Sequence, residues 1–233
     1  MAITTSEMIE FFGQQAERSR RGMSAAQSSS NYQLAAMNCR QAFKCRLMQG
    51  LISWRDSRNP TEFLASSVQE FKDNWNSMVV IGGEKATISD TPAERVPFIS
   101  YLIGQCDSET RFKTDGLESD RLLDAVLGQW LYGTWNELQW EKGIDQLHRS
   151  RHELAYESYC IYRAIVGSSY SDMSSLIERG NELFKRRQTD KFFCSGDQTE
   201  GGGEDNGFVV DYRLASLAKR VGYKGNGTNE WRW

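Results

Sequence analysis

Apolar residues recur at spacings of three and four along almost the whole chain, and only three prolines interrupt it in 233 residues. That pattern restricts the chain to amphipathic helices, because each such spacing places one apolar stripe on a 3.6-residue period. From Tyr32 the stripe runs through Ala36, Cys39, Phe43, Leu47, Leu51 and Trp54, one helix of about six turns. Thr4 and Glu7 form a capping-box pattern before Met8, Ile9 and Phe12. Asn59-Pro60-Thr61-Glu62 offers an N-cap, a proline in the first turn and an acid at N3. Leu64, Val68, Phe71, Trp75 and Met78 follow, carrying that helix toward Gly82-Gly83. A similar start stands at Thr91-Pro92-Ala93-Glu94, but Pro97 must kink that helix or move its start. Phe98, Ile99, Leu102, Ile103 and Cys106 continue it.

Leu122, Leu123, Val126, Leu127, Trp130 and Leu131 make a broad apolar face that predicts deep burial. Ser150 and Glu153 read as a cap for a helix with Leu154, Tyr159, Tyr162, Ile165 and Val166. Met173, Leu176, Ile177, Leu183 and Phe184 mark the next helix. Val209, Val210, Leu214, Leu217, Ala218 and Val221 mark the last. Short β-prone runs occur only at Met78–Ile81 and Lys191–Cys194, without hairpin turns. The two proline-bearing starts do not extend into a repeat, since the aromatic and glycine positions of helix-pair repeats are missing. The expected fold is all-α: a single domain over 1–233, a bundle of about eight helices in antiparallel pairs. Gln27 to Asn31 reads as the link between the first two helices. The stretch 195–207, SGDQTEGGGEDNG, reads as an acidic, glycine-rich loop, and the chain from about 224 as an irregular tail.

The net charge is −3, so no general attraction to nucleic acid or anionic lipid is expected. The uncharged, apolar-rich stretch Ala125 to Asn136 falls short of the roughly 18 apolar residues that span a bilayer. MAITTSEMIE lacks the basic and apolar regions of a secretory leader. Cys39, Cys45, Cys106, Cys160 and Cys194 are odd in number and scattered, which argues for reduced thiols and a cytoplasmic protein.

Reaction motifs are scarce. His148 and His152 stand four apart, with Asp145 before them, a spacing that could hold a divalent metal. Arg149 and Arg151 oppose a cation there, and Ser150 reads as a helix cap between the two histidines. Gly201-Gly202-Gly203 lies among Glu200, Glu204 and Asp205, which repel phosphate. No nucleophile elbow, calcium loop or paired carboxylate–histidine motif is present. No cofactor and no metal is therefore expected, and a metal-dependent hydrolase using Asp145, His148 and His152 is the alternative reading, with a helical adaptor as a third. Trp75 and Trp130 fall on core stripes. Trp135 and Trp140 flank Glu137 where an aromatic face could meet solvent.

The acids form two clusters. Asp115, Glu118, Asp120 and Asp124 lie around a helix start, where acids also suit the helix dipole. Asp197, Glu200, Glu204 and Asp205 lie in the glycine-rich stretch. Either cluster could be a solvated face or a patch that meets a basic partner and raises its association rate.

The segment Phe208-Val209-Val210-Asp211-Tyr212-Arg213-Leu214-Ala215-Ser216-Leu217-Ala218-Lys219-Arg220-Val221-Gly222-Tyr223 resembles the closing helix of the all-helical, PoNi-type bacterial immunity proteins. There a tyrosine-led, alanine-rich helix ends in a hydrophobic–glycine turn. Where that class has an aromatic–proline tail, this chain continues Lys224-Gly225-Asn226-Gly227. The resemblance implies a non-enzymatic protein that neutralises a cognate toxin by stoichiometric binding. Its partner would then be a toxin with a basic active-site groove, met by Asp115, Glu118, Asp120, Asp124, Asp197, Glu200, Glu204 and Asp205.

Overall fold

The structure is a computed structural model, and it describes residues 4–55, 59–75, 95–105, 116–150, 152–168, 173–189 and 211–223. Every regular element among them is helical, so the fold is an all-α bundle. The sequence marked no boundary within 1–233. The tertiary contacts gather into two compact units, Met1–Ile103 and Gly104–Trp233.

The first unit holds α1 (Thr5–Ser28), α2 (Tyr32–Arg55), α3 (Thr61–Glu70) and α4 (Val96–Leu102). The capping box at α1 is complete: Thr4 Oγ1 accepts from the Glu7 amide at 3.2 Å, and Glu7 Oε2 accepts from the Thr4 amide at 2.7 Å. Those bonds hold the Glu7 carboxyl below its ordinary pKa. At the other end Ser30 adopts φ 57°. Its amide donates to Gln27 O and the Asn31 amide to Ala26 O, closing a Schellman turn. Asn31 Oδ1 then accepts from the Leu34 amide and starts α2. Gln49 donates to Ile9 O, Arg46 pairs with Glu17, and Gly22 lies against Asn38. Numbers rise along one helix as they fall along the other, so α1 and α2 form an antiparallel hairpin.

Helix α2 is the centre of this unit, with Ala42, Phe43, Leu47 and Leu51 fully or almost fully buried. Helix α3 crosses it at Gly50, where a Cβ would stand 2.5 Å from Leu64 Cδ2. The proline start differs from expectation: the cap position is Pro60, while Asn59 Oδ1 accepts from the Thr61 amide. Helix α3 also changes pitch, continuing as a π-turn over Phe71–Trp75. Asn74 closes that turn by donating to the carbonyl and carboxylate of Glu70. Glu70 is buried and takes Nε and Nη2 of Arg20, each at 2.5 Å. Pro97 lies in the first turn of α4, so the helix starts at Val96. The expected continuation past Trp75, the Trp75 side chain and the start at Thr91 lie outside the described residues.

The second unit holds α5 (Ser119–Leu131), α6 (Glu137–Arg149), α7 (Glu153–Gly167), α8 (Met173–Thr189) and α9 (Tyr212–Arg220). The helices α5 and α6 run antiparallel: the Ser119 amide bonds Gln146 Oε1 at 2.8 Å, and Leu123 packs on the bare face of Gly143. Glu137 pairs with Arg163 and His148 stacks near Tyr156, so α6 and α7 are antiparallel too. Leu122 to Gly128 are all buried, as the broad face predicts, but Trp130 is only half-buried. Ser150 ends α6 and does not start α7, whose N-cap is His152. Gly133 and Gly222 take the left-handed position of Schellman turns that close α5 and α9.

Candidate functional site

The chemistry of the second unit converges on α9. Asp211 caps this helix, its Oδ1 accepting from the amides of Arg213 and Leu214 at 3.1 Å. Its Oδ2 accepts from the Tyr162 hydroxyl. Asp211 to Ala218 are all buried, so the first seven residues of α9 are packed all round, and only its last turn reaches solvent. Arg213 is therefore carried into the interior, where its Nε donates to Asp124 Oδ1 at 2.8 Å and its Nη2 to Oδ2 at 2.6 Å. Tyr159 donates to the same carboxylate at 2.7 Å. Burial, and then the Asp124 charge, push the Tyr159 phenol well above its ordinary pKa. This cluster joins α5, α7 and α9, and its charged groups are spent on each other.

The sequence places Asp124 in an exposed acidic patch, but in the structure it is buried, 3% exposed. Asp124 lies one turn inside α5, where α7 and α9 cover the face that Asp120 shares only at its open end. The signal was an acid inside an apolar run and an arginine inside another, each needing an opposite charge in the core. Glu118 and Asp120 do stand exposed at the start of α5. Asp115, Asp197, Glu200, Glu204 and Asp205 lie outside the described residues.

Beside the α6 start, Trp135 Nε1 donates to Glu137 Oε2 at 2.6 Å, and the Arg163 guanidinium lies 4.8 Å from the Trp135 ring centre. The indole hydrogen bond, helped by Arg163, holds the Glu137 carboxyl below its ordinary pKa. Trp140 is buried and stacks 5.3 Å from Trp135, so the aromatic face turns mostly inward. Leu138 next to it is 79% exposed.

Asp145 and His148 are exposed on α6, while His152 lies beyond the break between α6 and α7. Among the described residues no group of three or more His, Cys, Asp or Glu side chains is placed to hold a metal. Cys39 is buried, and burial followed by the Glu70 charge raises its pKa to about 12. Cys160 is exposed. No described helix is long and apolar enough to cross a membrane.

No protein family, curated protein or solved structure matches the chain.

Proposed function

We propose that this chain is an immunity protein, which neutralises a cognate toxin by binding it stoichiometrically and performs no chemistry of its own. The observation that carries the reading is the pair of exposed carboxylates, Glu118 and Asp120, on a helix start braced by the Ser119–Gln146 bond. A fixed acidic edge of this kind suits a basic groove, such as the one a nuclease presents to phosphates, because complementary charge speeds encounter and selects the partner. The likeness of residues 208–223 to the closing helix of PoNi-type immunity proteins supports the same reading. In this chain the described part of that segment is the helix that organises the core of the second unit. Asp197, Glu200, Glu204 and Asp205 are the second candidate contact.

The test uses the product of the neighbouring gene as the partner. Glu118→Lys with Asp120→Lys, and separately lysine at Asp197, Glu200, Glu204 and Asp205, should slow association and reduce protection while folding is retained. Added salt should slow wild-type association through screening. Unchanged association rates in both variants at low salt would overturn the acidic-edge mechanism. Absence of any complex with the neighbouring product would overturn the immunity reading itself.

A further inference from the structure

Helix α1 presents one unbroken solvent face. Glu7, Phe11, Gln14, Arg18, Arg21, Ala25 and Ser28 are all exposed, at the alternating four-and-three spacing that keeps residues on one side of a helix. Phe11 is 54% exposed, although its ring meets Phe12 edge-on at 5.4 Å. The charges on this face are segregated. Glu7 and Glu10 lie in its first half and Arg18 and Arg21 beyond its middle, while Glu17, the acid at the same register in the second half, is already paired with Arg20 and Arg46. The helix dipole explains acids in the first turn, but it does not explain Arg18 and Arg21, because the last turn carries no basic residue. The neighbouring Glu17, Arg20 and Arg46 are engaged with one another and with Glu70. Arg18 and Arg21 have no ion pair or hydrogen bond among the described residues.

A helix that is acidic in one half and basic in the other is complementary to its own reverse. We propose that α1 is a homodimer surface, pairing antiparallel with α1 of a second copy about a twofold axis near Gln14. Glu7 and Glu10 of each copy then face Arg18 and Arg21 of the other, and Phe11 packs over the partner's central turn. Twofold symmetry makes every contact occur twice, so weak pairs add. With one large apolar residue per copy, the seam falls below the area of standard stable interfaces. The dimer is therefore weak, reversible and salt-sensitive.

Sedimentation equilibrium of the full chain over a broad concentration range, at low and high salt, tests this. A monomer–dimer equilibrium is expected at low salt, shifting to monomer as salt rises. Glu10→Arg and Arg18→Glu, at positions that face each other across the axis, should each weaken dimerisation about tenfold, since each turns two attractions into repulsions. The double variant restores complementarity and should return within about threefold of wild type. Phe11→Ser should weaken it without changing the salt dependence. Circular dichroism confirms that each variant keeps its helix. A chain that stays monomeric at every concentration, or a double variant no better than the singles, would overturn the proposal. So would a dimer indifferent to both reversals.

Discussion

Arg213 grips Asp124 with two of its nitrogens across 89 residues of sequence, and both side chains are almost wholly buried. The pair ties the closing helix α9 to α5, and Tyr159 ties α7 to the same carboxylate. Removing one member leaves an uncompensated charge in the interior. Arg213→Met or Asp124→Leu alone should each cost about 3–5 kcal/mol, whereas the double replacement should cost far less than the sum. Denaturant unfolding of the four proteins measures the coupling. Additive losses would show that the pair is not coupled.

Tyr159 makes stability depend on alkaline pH. Its proton is held in the folded state by burial and by the Asp124 charge, while an unfolded tyrosine loses its proton near pH 10. The Tyr159 contribution is therefore whole below about pH 10 and falls as pH rises beyond it, by about 1.4 kcal/mol per unit. Unfolding curves from pH 8 to 11 should show a steeper loss in wild type than in Tyr159→Phe, and parallel curves would refute it.

Ser30 holds a left-handed backbone that glycine adopts without penalty. Ser30→Gly should raise stability by about 0.5–1 kcal/mol, because relief of strain outweighs the added freedom of the unfolded chain. Thermal unfolding monitored by circular dichroism reads this directly, and a lowered midpoint would contradict it.

Gly50 behaves oppositely. Alanine ordinarily favours a helix by about 1 kcal/mol over glycine. At Gly50, however, its Cβ would lie 2.5 Å from Leu64 Cδ2 and 3.3 Å from the Leu64 amide nitrogen. Overpacking should dominate, so Gly50→Ala should destabilise by about 1–2 kcal/mol. A stabilised variant would mean that α3 moves away from α2 at little cost.

The thiols should separate by reactivity. With a pKa of about 12 and a buried sulfur, Cys39 should react with thiol reagents at pH 8 about a thousandfold more slowly than an ordinary thiol, until the protein unfolds. Cys160, exposed on α7, should be labelled in the native state, although its thiol is also raised by partial burial. Peptide mapping after timed alkylation distinguishes them, and early labelling of Cys39 would show that its surroundings open readily.

Local chemistry was legible because it is written in neighbouring residues. The Thr4–Glu7 capping box, the long helix from Tyr32 and the buried face from Leu122 all follow from spacing and side-chain type. Ser150 shows the limit: serine ends one helix here as readily as it could begin the next, and its neighbours do not distinguish the two. What only the tertiary structure decided is which charges face inward. Asp120 and Asp124 lie on the same side of one helix, separated by one turn, and sequence gives them equal standing. Packing of α7 and α9 over the second of them, with Arg213 supplied from far along the chain, makes one a surface acid and the other a core ion. Burial is set by what lands on a helix face, and that depends on contacts between residues that the chain keeps far apart.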